Sequence, residues 1–445
     1  MYIEKPPSIA ELLGKLGPDR VAQAFTRLAT AAEGAGEEYV HWDKLRHLTP
    51  PEDLTHEEWW LWTKLGRRPL QRQLPLVDVA GTPFTYALPD KALRLLRYAD
   101  QRCAGEIAMA EVVTADDQAK QHYLVNSLME EAIRSSQLEG ATTSRSVAKE
   151  LIRSGREPRN RSERMIVNHY RALLFMRSDM QGDLTPKQVL RLQKILTDGT
   201  LDNPDAAGRL QLPEEERVGV YDLLDGSLLH SPPPAEQLPE RLEKMCTFAN
   251  QGEDDAPFIH PVIRSILLHF WLAFDHPFED GNGRTARTLF YWSMRRNGYW
   301  LTEYLSISRI LREAPAQYSR AFMYTERDEN DTTYFILYQL EVIKRAVEEL
   351  HKYLRRKVRE VRKVEELLSD PGNLNHRQLA LLSDAIRNPT RRYSYAIHAS
   401  SHRVTHETAR HDLHQLERME LLTRSRVGRR HLFGISTAVL KRTRS

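Results

Sequence analysis

Across residues 115–365 the apolar side chains recur every three to four positions, the spacing of helices that bury one face. Two long segments carry this pattern, Asp117 to Leu138 and Ser162 to Met180, and we expect Ser162 to cap the second. The Thr185–Pro186 pair is typical of a helix start, and Gly199 of its end. The spacing predicts a mainly α fold built around a helical bundle.

Further segments with the same period extend the bundle. They are Pro239 to Asn250, Pro261 to Phe274, Arg284 to Asn297 and Thr333 to about Leu368. The most apolar run, Ile263 to Phe274, contains Arg264 and His269 and is too short to span a bilayer, so it predicts a buried helix. The first residues show no signal-peptide pattern. We therefore expect a cytoplasmic protein without a membrane partner.

The length of 445 residues exceeds what one hydrophobic core usually serves, and we expect three domains. These are an α-rich accessory domain over 1–114, the helical bundle over 115–365, and a C-terminal domain over 366–445. From Pro371 onward there are 14 Lys and Arg against 5 Asp and Glu, a balance of +9, whereas the whole chain carries +3. An anionic partner would therefore bind at the C-terminal end.

A β-hairpin is predicted inside the bundle. Arg217 to Tyr221 and Ser227 to His230 flank Asp225–Gly226, a dipeptide suited to a tight turn because glycine accepts a positive φ. The first strand contains Val218, Gly219, Val220 and Tyr221. By itself the pattern leaves open whether the hairpin is a surface excursion or a functional element.

The segment from His276 to Arg287 lies between two predicted helices and combines several unusual residues. Gly281 and Gly283 permit a tight turn whose backbone N–H groups converge, and the helix that follows adds the positive end of its dipole. Such a turn before a helix is a ready site for phosphate, and the amide of Asn282 adds a donor.

The same segment also offers charges and a base. Arg284 and Arg287 lie three residues apart, so both project from one helical face, and guanidinium groups match phosphate oxygens. Asp280 offers the hard oxygen that Mg²⁺ prefers, and Phe278 is expected to anchor the loop by its burial. His276 titrates near neutrality and can accept a proton from a hydroxyl. A lone histidine here would usually be structural, but the combination within twelve residues indicates a catalytic site.

The segment resembles the signature of the Fic-domain family, His-x-Phe-x-Asp/Glu-Gly-Asn-Gly-Arg-x-x-Arg, with every fixed position filled. The resemblance extends over about residues 115–330. It implies a Fic-type bundle that transfers AMP from Mg-ATP to a Tyr, Ser or Thr hydroxyl of a protein, with self-modification included. The resemblance also implies that His276 deprotonates the hydroxyl and that Asp280 holds Mg²⁺. It further implies that the phosphates are bound by the residues that follow: Gly281, Asn282 and Gly283 cradle the α- and β-phosphates, Arg284 contacts the β-phosphate, and Arg287 contacts the γ-phosphate.

The resemblance gives the hairpin a role. In the family an equivalent flap lies beside the catalytic loop and aligns an extended target segment by main-chain pairing. Residues 216–231 are the corresponding flap here.

An inhibitory motif is predicted at the end of the first long helix. Glu139 follows this helix and faces the negative end of its dipole, so the carboxylate needs a cationic partner, while Gly140 suits a helix end. Ser135, Glu139 and Gly140 resemble the inhibitory motif of the family class with an N-terminal inhibitory helix. The resemblance implies that Glu139 pairs with Arg287 and keeps the γ-phosphate from binding.

The C-terminal domain resembles a winged helix-turn-helix. Thr405 to Met419 is the expected recognition helix, and Arg424 to Phe433 the wing, turning at Gly428. Its positive charge suits DNA, although protein binding, dimerisation or packing on the bundle remain open. No metal site is expected from the histidine cluster His398, His402, His406, His411 and His414.

Three functions therefore remain in order of preference. The first is a self-restrained protein adenylyltransferase, and the second is an enzyme on the same scaffold that removes AMP, with Glu139 positioning water. The third is a DNA-binding regulator whose bundle senses nucleotide. A homodimer is compatible with each.

Overall fold

A computed structural model of the chain describes residues 3–23, 39–51, 54–104, 117–221, 226, 228–367, 374–402, 404–427 and 430–442. Most of these residues are helical, as predicted, and the described strands form three separate antiparallel hairpins. No helix among them is both long enough and apolar enough to cross a membrane.

The N-terminal region combines short helices with one hairpin. Its elements are α1 (Ile9–Lys15), α2 (Trp42–Leu45), α3 (His56–Arg67), β1 (Arg72–Val77), β2 (Pro83–Tyr86) and α4 (Asp90–Ala99). Trp42 and Trp60 are buried with Leu12 in a small local core. The hairpin was not predicted, although Asp78 marks its turn by accepting the N–H groups of Ala80 and Thr82 at 2.9 and 2.8 Å.

The bundle contains the elements that carry the candidate site. They are α5 (Asp117–Leu138), α6 (Arg145–Ser154), α7 (Arg161–Ser178), α8 (Pro186–Thr197), β3 (Val220–Tyr221), β4 (Leu228–His230), α9 (Leu238–Asn250), α10 (Pro261–Asp275), α11 (Asn282–Arg296), α12 (Ile307–Glu313), α13 (Pro315–Arg327) and α14 (Thr333–Leu367).

The helix starts follow their capping residues. Thr185 caps α8, as the sequence predicts, and it also forms a reciprocal capping box with Gln188. The prediction that Ser162 caps α7 is wrong: the helix begins at Arg161, because the side chain of Asn160 accepts the N–H of Glu163 at 2.9 Å.

Helix α10 lies at the centre of the bundle with almost every side chain buried, in agreement with the prediction of a buried helix. It packs against α11, and the six-residue loop between them is therefore fixed from both sides. The N-terminal hairpin joins this core, since Phe84 packs edge-on against Phe270 and Phe274 with ring centroids 5.4 and 4.9 Å apart.

The C-terminal region has its own core, formed around Leu413, Leu416 and Phe433. Its elements are α15 (His376–Arg387), α16 (Tyr395–His402), α17 (His406–Arg418), β5 (Leu422–Val427), β6 (Arg430–Ile435) and α18 (Thr437–Arg442). Thr405 caps α17 by accepting the N–H of Thr408 at 3.2 Å. These bounds agree with the expected recognition helix and wing strands, whereas Gly428 lies outside the described residues. The domain boundaries and the winged-helix assignment stay predictions.

A buried carboxylate ties the C-terminal helices together. Asp412 of α17 accepts hydrogen bonds from Asn375 Nδ2 at 2.9 Å and Arg377 Nε at 2.7 Å, and its Oδ2 lies 3.0 Å from His398 Nε2. Burial opposes the charge of Asp412, yet the hydrogen bonds from His398 and Arg377 hold its pKa well below the ordinary value. Of the five clustered histidines, His398 thus serves this network.

We expect Asp412→Asn to destabilise the C-terminal region by about 3 kcal/mol, because Arg377 would keep a buried charge without its partner. Since the pKa of Asp412 is lowered by folding, the stabilisation is present above the ordinary aspartate pKa and is lost as the pH falls toward the folded value. Urea denaturation of the full chain between pH 7 and pH 3 measures both effects. Glu407→Gln, an exposed change on the same helix, is the control and should leave the midpoint unchanged.

Candidate active site

The loop between α10 and α11 is shaped by two left-handed residues. His276 ends α10 with φ 44° and ψ 53°, and Gly281 precedes α11 with φ 87°. Asn282 locks the turn between them, since its Oδ1 accepts the N–H of Phe278 at 2.9 Å and its Nδ2 donates to the Phe278 carbonyl at 2.7 Å. Phe278 itself is fully buried, as predicted. The loop is therefore rigid before any ligand binds.

The ring of His276 lies over this turn, with Nδ1 3.3 Å from Asn282 Nδ2. Burial lowers the pKa of His276 to about 4, and the positive charges of His230 and Arg217 act in the same direction. The carboxylate of Glu139 and a hydrogen bond to the backbone of Val218 oppose this shift. His276 is consequently neutral at pH 7, the state in which an imidazole can accept a proton.

His230, at the end of β4, supplies one of those positive charges. Its Nδ1 lies 2.8 Å from Glu326 Oε2, and its Nε2 lies 2.6 Å from the carbonyl oxygen of Phe274. Burial disfavours the charged ring, but the hydrogen bond and the charge of Glu326 raise the pKa of His230 above its ordinary value. Two histidines in this site are thus driven in opposite directions by their surroundings.

Arg217 connects the predicted flap to the loop. Its Nη2 donates to the carbonyls of Asp275 at 2.9 Å and His276 at 3.3 Å, while its Nε donates to the carbonyl of Pro233 at 2.8 Å. Because Arg217 turns toward the loop, the strand is shorter than expected and begins at Val220 instead of Arg217.

Of the predicted flap residues Val218, Gly219, Val220 and Tyr221, Val218 contacts His276. Val218 is hydrogen-bonded to the His276 ring through its backbone, and Val220 pairs with His230 across the hairpin. Tyr221 is 56% exposed and Leu228 52%, so the outer part of the hairpin faces solvent. The turn residues other than Gly226 lie outside the described residues.

Arg284 and Asp280 form one side of the glycine turn. The buried guanidinium of Arg284 donates to the Leu196 carbonyl and to Asp280 Oδ1, both at 3.0 Å. Asp280 Oδ1 also accepts the N–H of Gly281 at 2.5 Å, whereas Oδ2 lies 3.9 Å from the exposed Arg161. One carboxylate oxygen is thus tied to the loop, and the other points toward the surface.

Arg287 forms the other side and is only 1% exposed. Its Nε donates to Ser135 Oγ at 2.8 Å, and its Nη2 donates to the Ser135 carbonyl at 3.3 Å and to Glu139 Oε1 at 2.7 Å. All these acceptors come from the end of α5 or the residue after it. Ser135 and Glu139, both residues of the predicted inhibitory motif, therefore bind the same guanidinium.

The carboxylate of Glu139 lies directly on the first turn of α11. A methyl group added to Gly283 would be 2.2 Å from Glu139 Oε1 and 2.9 Å from Arg287 Nη1. Gly140 then turns the chain away with φ 92°. An anion thus already sits at the positive end of α11, where the sequence predicts phosphate.

Several contributors to the site were not predicted. Arg217, His230 with Glu326, and Gln193 act through partners distant in sequence; the Nε2 of Gln193 donates to the Asp280 carbonyl at 3.1 Å. Gln193 and Glu326 lie on helices whose local pattern carries no signal beyond amphipathicity.

The loop lies within a region that is similar to a known protein family. Residues 183–294 match the sequence profile of the Fic/DOC family. A protein adenylyltransferase Fic from Nematostella vectensis is 42% identical over 69 residues, which are 15% of this chain and 16% of that protein. A protein adenylyltransferase Fic from Drosophila sechellia is 36% identical over 117 residues, which are 26% of this chain and 21% of that protein. The matches therefore span well under a third of these relatives.

Solved structures of Fic proteins also align with the chain. A Fic family protein from Desulfovibrio desulfuricans G20 has a TM-score of 0.47 at 18% identity, covering 79% of this chain and 98% of that one. Residues 134–508 of Fic-1 from Caenorhabditis elegans have a TM-score of 0.48 at 16% identity, covering 80% and 89%.

We expect the imidazole of His276 to titrate with a midpoint near pH 4 in the full chain, since burial and nearby cations lower its pKa. Glu139→Gln should lower the midpoint further, because the carboxylate raises this pKa. Histidine side-chain NMR over pH 3–8 measures both, and Glu214→Gln, an exposed change outside the site, is the control. A midpoint above pH 6 in the wild type would contradict the enclosed, cation-flanked ring.

Proposed function

Since the chain is a Fic-domain protein, we propose that it transfers AMP from Mg-ATP to a hydroxyl of a protein and that Glu139 restrains this activity. The main support for this proposal is the ion pair between Glu139 and the buried Arg287, which lie 2.7 Å apart. The pair lies on the glycine turn, next to a His276 that is neutral at pH 7. A basic anion site next to a neutral imidazole suits transfer of a phosphoryl-type group to an alcohol.

In the proposed reaction His276 takes the proton of the acceptor hydroxyl while the hydroxyl oxygen attacks the α-phosphorus of ATP. The bond from that phosphorus to the bridging oxygen breaks in line, and pyrophosphate leaves with the electron pair. The N–H groups at Gly281–Gly283 and the guanidinium groups of Arg284 and Arg287 stabilise the charge on the phosphates. No residue needs to form a covalent bond to the nucleotide.

Asp280 fits the role of a magnesium ligand. Its Oδ1 is already hydrogen-bonded, so a single oxygen, Oδ2, is presented to a cation. The described residues hold no group of three His, Cys, Asp or Glu arranged for a metal. Magnesium, which usually binds through one or two carboxylates plus substrate phosphates, would neutralise phosphate charge there.

The proposed inhibition by Glu139 acts through Arg287. This guanidinium is buried and already neutralised by Glu139, so the γ-phosphate can pair with it only after the carboxylate leaves. Glu139 is 30% exposed and ends its helix, which lets it move without unfolding α5. Inhibition is then a competition between the Glu139 carboxylate and the γ-phosphate for the guanidinium of Arg287.

Removal of AMP from a protein is the second reading of the same geometry. Glu139 is close enough to His276 for its charge to raise the pKa of the ring, so the two groups could share a water molecule. Here Glu139 would be required for activity, whereas for AMP transfer it is inhibitory.

We expect Glu139→Gly to raise AMP transfer about tenfold or more, because one lost charge-assisted pairing of about 1.4 kcal/mol corresponds to tenfold in occupancy. Intact-mass measurement after incubation with Mg-ATP detects AMP added to the protein itself, and a labelled analogue detects it on other proteins. Glu139→Gln keeps the size of the side chain and should be activated as well. His276→Ala in the Glu139→Gly background should lose about 10²- to 10⁴-fold.

Two results would overturn the restrained transferase. One is unchanged labelling in both Glu139 variants. The other is wild-type protein that removes AMP from a purified modified protein and loses this activity on Glu139→Gln; that result would establish the reverse reaction.

We further propose that the C-terminal region binds DNA. Arg410 on α17 and Arg424 and Arg426 on β5 are exposed, so both the helix and the strand present basic side chains, although Arg424 also pairs with Glu417 at 3.0 Å. Binding of a labelled duplex, measured by fluorescence anisotropy, should weaken with salt, and Arg410→Gln should reduce the slope of log K against log salt by about 1 if it contacts phosphate. The control is His276→Ala, which should bind unchanged; an unaltered slope would assign the face to another partner.

A further inference from the structure

A large cleft separates the bundle from the C-terminal region. It has a volume of about 990 Å³, with α5, α6 and α14 on one side and α15 and α16 on the other. Ser400 Oγ on α16 donates to the carbonyl of Arg153 at 2.7 Å and joins the two sides at one edge. The cleft shares no residue with the loop 276–287.

The walls of the cleft are strongly basic, with seven Lys and Arg against three acidic residues. Each acid is already engaged. Glu130 forms ion pairs with Arg145 at 2.8 Å and with Lys149 at 3.1 Å. Glu349 forms an ion pair with Arg309 at 3.1 Å, and Asp384 forms one with Arg391 at 2.8 Å. The three acids therefore offset only part of the positive charge of the seven Lys and Arg, and the wall of the cleft stays basic.

Arg153 is a partly buried cation on one wall of the cleft. Its Nη2 donates to Asn126 Oδ1 at 2.9 Å, and no carboxylate of the described residues forms an ion pair with it. Burial lowers the pKa of Arg153, and the like charge of Arg391 from the opposite wall adds to this effect, while the carboxylate of Asp384 offsets only part of it. Two guanidinium groups that repel each other across a cleft are drawn together by an anion placed between them.

Aromatic rings line the same cleft. Tyr304 and Tyr353 contribute to its wall, and Tyr353 packs edge-on against Tyr123 with centroids 6.0 Å apart. Flat rings next to clustered cations suit a molecule with a planar base and phosphate groups. The volume lies at the upper end of small-molecule sites, which is sufficient for a nucleotide.

We propose that this cleft is a second anion site, which binds a small polyphosphate, either a nucleotide or an inorganic chain, between Arg153 and Arg391. Such a ligand would bridge the bundle and the C-terminal region. Helix α5 forms part of the cleft wall and also carries Ser135, which accepts a hydrogen bond from Arg287. One helix therefore connects the cleft to the candidate active site. The site does not depend on the proposed AMP transfer.

Lys149 provides a local test because it lines the cleft and burial lowers its pKa, which favours the reactive amine. The full-length protein is treated with a dilute amine-acylating reagent in the presence of inorganic tripolyphosphate or, separately, GDP, and modification is quantified by mass spectrometry. We expect at least threefold protection of Lys149. Lys187, exposed on α8 and away from the cleft, should be modified equally with and without ligand.

Variants establish which residues hold the phosphate. Arg153→Gln and Arg391→Gln should each raise the half-protecting concentration about tenfold, whereas Arg171→Gln, an exposed change on α7, should have no effect. Thermal melting checks that each variant is folded. Protection by GDP at lower concentration than tripolyphosphate would identify a nucleotide, and equal protection an inorganic chain. Absence of protection in the wild type, or unchanged protection in both cleft variants, would overturn the proposal.

Discussion

The structure of the candidate site depends on one buried guanidinium. Arg287 is almost inaccessible to water, and a charge in such a position is costly unless every donor is paired. Ser135 and Glu139 provide the acceptors, and they fix the end of α5 against the first turn of α11. The position of the proposed inhibitory segment and the form of the proposed anion site therefore have a common cause. An isolated carboxylate on the surface would contribute far less.

The same electrostatic environment explains the state of the histidine. A region that attracts phosphate is positive, and a positive region disfavours protonation of an imidazole within it. Glu326 raises the pKa of His230, and the positive charges of His230 and Arg217 both lower the pKa of His276. The positive charges proposed to bind a triphosphate thus also keep His276 in the neutral state that its proposed role as a base requires.

The parts of the molecule that the sequence predicts well are those with local signals. The ends of α5 and α8, the turn at Gly281 and the burial of Phe278 each follow from residues within a few positions. The N-terminal hairpin was overlooked because its strands are short and contain proline, and the start of α7 was misplaced because Asn160 and Ser162 are both capping residues. Contacts such as that of Glu326 with His230 join residues 96 apart, and no local pattern encodes them.

Arg217 fixes the distance between the hairpin and His276. One guanidinium holds both the base of the hairpin and the backbone of His276, so the hairpin edge and the imidazole cannot shift independently. If a target strand pairs with the hairpin edge, the distance between the backbone of that strand and the imidazole of His276 is constant. A hydroxyl on a short side chain such as serine and one on a long side chain such as tyrosine would then reach the base from different strand positions. Selection among acceptor residues would be a matter of reach as much as of chemistry.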